Sequence, residues 1–135
     1  MRTAKDVEAY LAKLNRSFSE VDETPGTYLL RPSSGDGTAI AMRVDPPLVV
    51  LRVHIGDVRK DKDRDGNAGL FRRLLQLNAR GLVHASYGLD EDRIVLSAAL
   101  ELENLDFNEL EATLDEIDLA VAQQVPELAE LSKKA

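Results

Sequence analysis

Apolar residues near the start of the chain recur with the spacing of a helix. From Thr3 onward, side chains three or four positions apart share one helical face, and these are Val7, Leu11, Leu14 and Phe18. Thr3 and Asp6 have the spacing of a capping box, which satisfies backbone N–H groups at a helix start. We therefore expect an amphipathic helix here, ended by Thr24-Pro25-Gly26.

Three segments with strand-like composition follow the first helix. They are Thr27–Arg31, Ala39–Asp45 and Leu48–Ile55. Gly35 and Gly37 supply the positive φ angles that a tight turn between the first two requires. Pro46 and Pro47 fall between the second and the third, so no proline lies inside a strand. We expect consecutive strands, separated by turns.

Side chains of the third segment fall alternately on two sides that differ in polarity. One side would carry Val49, Leu51, Val53 and Ile55, and the other side Val50, Arg52 and His54. Alternation with period two is typical of a half-buried strand in an antiparallel sheet that has one face in water.

Helical spacing returns at Gly69–Arg80. The apolar residues of this segment cover more of the circumference than a surface helix needs, and they are Leu70, Phe71, Leu74, Leu75 and Leu77. We expect this helix to be contacted on two sides, and the second side is a candidate subunit interface.

The last part of the chain predicts a hairpin and then a long helix. Val83–Leu89 and Ile94–Leu102 alternate and are joined by a short polar turn. The helix begins at Asp106, which forms a capping box with Glu109. Its buried stripe is Leu110, Leu114, Ile117, Val121 and Val125, and Pro126 can open a last short helix. The element order α-β-β-β-α-β-β-α predicts a single α+β domain over residues 1–135, with helices packed on an antiparallel sheet.

The amino-acid composition excludes several kinds of functional site and argues against several kinds of partner. The chain has no cysteine, which excludes disulfides, thiolate metal sites and a cysteine nucleophile. The net charge of −7 argues against affinity for nucleic acid or for an anionic membrane. Neither a signal peptide nor a stretch of about 20 apolar residues is seen, so we expect a cytoplasmic protein.

Charge is unevenly distributed along the chain. Residues 59–80 carry seven Lys or Arg and three Asp, a local balance of +4. Residues 81–135 carry thirteen acidic and three basic residues, a local balance of −10. The acidity therefore belongs to the C-terminal part, where it indicates either a solvated helix exterior or attraction to a basic partner.

An Asp-rich segment is the strongest local motif. Asp61, Asp63 and Asp65 alternate before Gly66, as carboxylates do in loops that bind calcium. The position where such a loop carries a bidentate Glu is Arg72, however, and the preceding segment is a predicted strand. Two interpretations stay open: a loop that binds calcium, and a solvated loop whose Asp or Asn caps the next helix.

No combination of residues typical of catalysis is found. His54 and His84 are the only histidines, and each falls on the polar side of a predicted strand. No serine lies in a nucleophile elbow, and no glycine-rich phosphate-binding pattern opens a helix. We expect a protein that is not an enzyme and that has no cofactor apart from the calcium considered above.

Three segments resemble the YbjN-related proteins, within the type III secretion chaperone-like fold. They are the helix Leu70–Asn78, which ends in Leu-Asn, the hairpin Ser86–Leu96 and the helix Leu105–Leu119. The resemblance covers about residues 66–120, and the N-terminal half is similar in element order only.

The resemblance implies a dimer in a bacterial cytoplasm that binds another polypeptide, as chaperones of this fold hold secreted effectors in extended form. On that basis the dimer interface would include Phe71, Leu74 and Leu75, and partner contacts would come from Leu11, Leu14, Leu29 and Val50. A place in the core is the alternative for each of these residues. The alternative function is a regulatory domain that senses an ion through the Asp-rich loop 61–65.

Overall fold

The computed structural model describes residues 1–21, 23–32, 38–59 and 66–133. The helices are α1 (Ala4–Lys13), α2 (Ala68–Gln76), α3 (Phe107–Gln123) and α4 (Val125–Lys133), and a π-helical turn, Leu77–Gly81, continues α2. The strands are β1 (Phe18–Glu20), β2 (Thr27–Leu30), β3 (Ile40–Asp45), β4 (Leu48–Asp57), β5 (Ser86–Asp90) and β6 (Arg93–Glu101).

All six strands of the described residues form one antiparallel sheet. Its order is β1-β2-β3-β4-β6-β5, so β1 and β5 are the two edges. The pairing of β4 with β6 is the longest, and it shifts register between His54 and Gly56. The long central strands thus form the frame on which the edges depend.

One face of the sheet and all four helices enclose a single core. Alternate strand residues point into it, and these include Tyr28, Leu30, Ile40, Met42, Val49, Leu51, Val53 and Leu96. The helices contribute Val7, Leu11, Leu70, Leu74, Leu110, Leu114, Ile117 and Leu128. Each fully buried aliphatic side chain of this kind contributes about 1.5–3 kcal/mol. Because all four helices join this cluster, no described helix covers the opposite face of the sheet, which is called the uncovered face, and Arg43 and Arg52 are exposed on it.

The α+β architecture and most of the predicted elements are confirmed. The capping box at the start of α1 is present, since Asp6 Oδ2 accepts from the N–H of Thr3 over 2.8 Å and Thr3 Oγ1 accepts from the N–H of Asp6 over 3.3 Å. Asp106 caps α3 by accepting from the N–H of Glu109 over 2.8 Å, although the return bond from the Glu109 side chain that would complete the predicted capping box is not formed. Strict periodicity and side-chain capping were therefore sufficient to locate these elements.

The N-terminal part differs from the sequence prediction. Phe18 was assigned to the first helix, but α1 ends at Lys13 and Phe18 begins the short strand β1. The cause is the backbone at Asn15, whose φ of 56° is incompatible with a continued right-handed helix. The observed order is therefore α-β-β-β-β-α-β-β-α-α.

The segment before β5 also differs from the prediction, because a side chain holds its backbone. A strand was expected from Val83, but β5 begins only at Ser86. The Glu116 carboxylate accepts the N–H groups of Val83, His84 and Ala85 over 3.0, 2.8 and 2.8 Å. Burial alone would raise the pKa of Glu116, yet these three bonds outweigh it and hold the pKa below its ordinary value of 4.5.

We predict that Glu116→Ala lowers the free energy of unfolding by about 2–3 kcal/mol at neutral pH, because three N–H groups lose a charged acceptor. The pKa is lower in the folded than in the unfolded chain, so this contribution is fully present above pH 4.5 and is lost as the pH falls through the folded-state pKa. Urea unfolding at neutral and acid pH measures it.

Glu116→Gln is the matched control, since it keeps an acceptor oxygen but cannot ionise. The difference in stability between the native chain and Glu116→Gln should shrink toward zero in acid. A difference that does not change with pH would contradict the role given to the carboxylate.

Candidate functional site

The outer edge of β1 presents backbone groups that its own sheet does not use. Arg31 N–H donates to Ser17 O over 3.0 Å, and Val21 N–H donates to Thr27 O over 2.8 Å. Hydrogen-bonded pairs alternate along an antiparallel ladder, so residues 17, 19 and 21 face β2. The N–H and C=O groups of Phe18 and Glu20 are therefore directed away from the sheet, toward the open edge.

Two depressions flank this edge and meet at Ser17 and Arg31; together they are called the edge groove. One has a volume of about 680 Å³ and lies between the end of α1 and α3, where Leu14 and Leu119 form part of its wall. The other has a volume of about 440 Å³ and lies over β1 and β2, beside Leu29. The edge groove thus runs from the helices onto the edge strand.

An ion pair forms the floor of the edge groove and joins the β1 side to α3. The Arg16 guanidinium contacts the Asp118 carboxylate through two bonds, of 2.6 and 3.2 Å, and donates a third to Arg31 O over 3.1 Å. The side chains are only 9% and 16% exposed. A bidentate pair of this geometry fixes the position of the chain just before β1.

A second apolar surface lies between α2 and β5 and is called the α2–β5 patch. Phe71, Leu74, Leu75 and Leu89 line a depression of about 300 Å³ there. Leu75 is 69% exposed although it lies in a helix whose other leucines are in the core. The patch therefore exposes more apolar area than α2 needs for folding.

The structure separates the residues that the sequence proposed for partner contacts. Leu11 is wrong for this role, because its side chain is 0% exposed and belongs to the core. Leu14 is half-buried and Leu29 is exposed, and both line the edge groove. Val50 is half-buried on the uncovered face of β4, away from the groove-lining residues.

The residues proposed for the dimer interface lie together in the α2–β5 patch. Phe71 is half-buried and Leu75 is exposed, whereas Leu74 is almost completely buried and presents only its margin. Helical spacing alone brought these three side chains together, because positions 71, 74 and 75 share one face.

Sequence reasoning missed several residues of the edge groove. Apolar spacing predicts Phe18 on a helix, and no sequence pattern points to Arg16. Leu119 was placed only within the long helix, yet its side chain is 57% exposed. An exposed leucine outside the buried stripe of α3 was the one available signal, since contacts between distant segments leave no local pattern.

The proposed metal ligands Asp61, Asp63 and Asp65 lie outside the described residues. Within the part of the chain that the structure describes, no group of three His, Asp or Glu side chains is placed to hold a metal ion. His54 contacts Asp57 Oδ1 over 3.0 Å, and His84 is exposed. Among the described helices, none has the length and apolar character needed to cross a bilayer.

Comparisons with known proteins agree with the fold. A model of the CesT_Tir_1 family matches residues 1–134. A chain of the heterodimeric ExoU–SpcU complex, from the type III secretion system of Pseudomonas aeruginosa, is 20% identical with a TM-score of 0.67, covering 89% of this chain and 95% of that one. YbjN from E. coli is 17% identical with a TM-score of 0.66, covering 90% and 93%.

A third similar structure comes from the Yersinia pestis type III secretion chaperone SycH in complex with a stable fragment of YscM2. It is 12% identical with a TM-score of 0.60, covering 89% of this chain and 98% of that one. No curated protein matches the chain by sequence. The family match and these likenesses confirm the chaperone-like fold that the sequence resemblance implied, a fold that YbjN shares.

We predict that Arg16→Ala and Asp118→Ala each lower the free energy of unfolding by about 3 kcal/mol, because each leaves the partner charge buried without its counterion. The double variant should cost clearly less than the sum, with a coupling energy of about 1–3 kcal/mol. A thermodynamic double-mutant cycle by urea unfolding measures this. Additive effects would show that the pair does not fix the groove.

Proposed function

The chain belongs to the CesT_Tir_1 family of type III secretion chaperones, and from that membership we propose that it is a chaperone-like or adaptor protein that binds another polypeptide and is not an enzyme. The observation that carries the proposal is the open edge of β1 beside the edge groove. Two of the similar structures are complexes between different proteins, which supports the same conclusion.

The backbone at β1 suits an extended polypeptide. Phe18 and Glu20 direct two N–H and two C=O groups outward, and Ser19 lies between them in the same strand. A partner segment in extended conformation would satisfy these groups by adding a strand to the sheet. The partner would thus be held by its main chain at this edge.

The edge groove supplies contacts for the side chains of such a segment. Alternate residues of an added strand point to opposite faces of the sheet, so one set of side chains would face the depression beside α1 and α3 and the other set the depression beside Leu29. Leu14 and Leu119 provide apolar walls on the helix side, and Leu29 provides one on the uncovered face. We therefore propose an extended segment that carries apolar residues on both of its sides.

Charge around the groove favours basic residues in the partner. Asp118 is neutralised by Arg16, but Glu111 and Asp115 also line the groove on α3. The exposed Arg31 is the cation on the opposite wall. The local excess of acidic residues would attract a partner whose apolar segment is flanked by Lys or Arg.

We further propose that two copies associate through the α2–β5 patch. Leu75 and Leu89 are exposed on it side by side, and a twofold contact would bury each of them in both copies. Burial contributes about 1.5–3 kcal/mol for each fully covered leucine. The patch and the edge groove share no lining residue, so a dimer would leave both grooves available.

We predict that Glu20→Pro abolishes capture of the partner polypeptide, because proline removes an outward N–H and its ring obstructs the β1 edge. The pairing of β1 with β2 should persist, since the lost N–H does not face β2. The measurement is affinity capture from the source cell with the tagged native chain and the tagged variant, followed by identification of the bound chains.

Glu20→Ala is the matched control, because it removes the same carboxylate but keeps the N–H. A polypeptide captured by the native chain and by Glu20→Ala, and lost with Glu20→Pro, supports addition at β1. Equal capture by all three forms would show that β1 is not the binding edge.

We predict that Leu75→Glu converts a dimer into a monomer without loss of folding, because the substitution places a charge in the centre of the α2–β5 patch. Light scattering coupled to size exclusion measures the mass. Leu119→Glu is the matched control, since Leu119 is a helical leucine that is 57% exposed and lies outside the patch. A native chain that is monomeric at high micromolar concentration would contradict the proposed dimer.

A further inference from the structure

The second edge of the sheet, β5, has its outward backbone groups occupied at Tyr87. Asn78 accepts the N–H of Tyr87 at Oδ1 over 2.7 Å and donates from Nδ2 to the C=O of Tyr87 over 3.0 Å. A neighbouring antiparallel strand would make the same two bonds to one residue of an edge. The side-chain amide of Asn78 therefore takes the place of a further strand at this point.

Glu116 occupies the preceding outward N–H group of this edge, two residues before Tyr87. Outward N–H groups recur at every second residue, so Ala85 lies in line with Tyr87. The N–H of Ala85 is accepted by Glu116 Oε1 over 2.8 Å, together with those of Val83 and His84. Glu116 of α3 and Asn78 of the π-helical turn thus bond to Ala85 and Tyr87, which are successive outward-facing residues along this edge.

The π-helical turn places Asn78 at the strand. A π-turn widens the helix by one residue, which re-aims the side chains that follow. Leu77 remains buried in the core while Asn78 reaches Tyr87. At Gly81, which closes the turn, a Cβ atom would lie 3.2 Å from Leu77 Cδ2 and 3.3 Å from Gln124 Nε2, so the turn packs tightly.

Tyr87 is held from its side chain as well. Its hydroxyl donates to Gln124 Oε1 over 2.6 Å, and burial raises the pKa of Tyr87 to about 12. Gln124, the C-cap residue of α3, thus anchors the Tyr87 side chain close to the π-helical turn. Asn78 and its backbone partner therefore face each other as one rigid unit.

The opposite edge has no such arrangement. Among residues 1–21, 23–32, 38–59 and 66–133, no side chain is bonded to the outward N–H or C=O of Phe18 or Glu20. Leu89 is the remaining outward residue of β5, and no described side chain is bonded to its N–H or C=O. Within the described residues the two edges thus differ at the positions named: side chains occupy the N–H of Ala85 and both backbone groups of Tyr87, and none occupies those of Phe18 or Glu20.

We infer that Asn78, assisted by Glu116, is a specificity-determining residue that closes the β5 edge to strand pairing and leaves β1 as the edge where an extended polypeptide adds. The inference rests on the proposed function for the identity of the added chain. The closure itself is a property of the free protein and is measured without a partner.

Hydrogen exchange of individual backbone amides in the free protein tests the closure. Asn78→Ala should make the Tyr87 amide exchange at least about tenfold faster, because it loses its acceptor. The amides of Ser86 and Gly88 bond to β6 and should not change. Unchanged exchange of Tyr87 in Asn78→Ala would overturn the inference.

Asn78→Asp provides a second test of the Asn78–Tyr87 bonds if the alanine variant is too unstable to measure. The carboxylate still accepts from the N–H of Tyr87, but it cannot donate to the C=O and repels its oxygen, so the Tyr87 amide should exchange more slowly than in Asn78→Ala and faster than in the native chain. Asn108→Ala is the surface control, since Asn108 is an exposed asparagine on α3. Exchange of Tyr87 in Asn78→Asp as fast as in Asn78→Ala, or faster exchange in Asn108→Ala than in the native chain, would also count against the assignment.

Sedimentation velocity over about a hundredfold range of concentration tests whether an opened β5 edge pairs with a second copy. The measurement is made in the Leu75→Glu background, so that association through the α2–β5 patch does not mask the effect. Adding Asn78→Ala should raise the average mass with concentration, and adding Asn108→Ala should not. If the forms with Asn78→Ala and Asn108→Ala have equal average masses, Asn78 does not keep the β5 edge from pairing with a second copy.

The two proposals fail separately. Equal capture of a polypeptide by Glu20→Pro and Glu20→Ala would refute addition at β1 and leave the Asn78 measurements unaffected. Unchanged exchange and mass in Asn78→Ala would refute closure of β5, whatever the capture experiment shows.

Discussion

Every backbone N–H and C=O group of a sheet requires a hydrogen-bond partner, and the sheet provides none for the outward groups of its two edge strands. Much of this molecule follows from how that constraint is met. At β5, α3 and the π-turn after α2 bring Glu116 and Asn78 to the exposed backbone. At β1, Arg16 and Asp118 secure the chain just before the strand, and no side chain in the described part of the protein is bonded to the outward groups of Phe18 and Glu20.

The placement of all four helices on one face of the sheet has the same physical origin as the alternation in its strands. Inward positions are apolar and fill one core, so the helices need only one face to complete burial. Glu111 and Asp115 of α3 then lie outside the core, beside the edge groove. Leu75 and Leu119 are exceptions to this pattern, because they are leucines that are exposed and do not belong to the core.

Much of this fold could be predicted from sequence, because its long elements follow strict periods. Val49, Leu51 and Val53 are buried as the alternation of β4 indicated, and the capping residues located the starts of α1 and α3. β1 was missed because three residues are too few to show a period, and because the positive φ at Asn15 gave no clear signal.

The candidate site was less predictable than the fold. Leu11 and Leu14 have the same spacing and character, yet one is in the core and the other lines a groove. Hydrophobic spacing reports which face of a helix is apolar, and it does not report how far neighbouring elements cover that face. The contacts of Asn78 with Tyr87 join different elements, so no local pattern announces them.

The shortness of β1 sets a limit on affinity. Its outward groups belong to Phe18 and Glu20 and amount to at most four new hydrogen bonds, each with a net worth of about 0.5–1.5 kcal/mol. Their sum, about 2–6 kcal/mol, is below the roughly 8 kcal/mol of a micromolar complex. Main-chain bonding at this edge would therefore set direction and register, while the walls formed by Leu14, Leu29 and Leu119 would supply the rest of the binding free energy and choose among sequences.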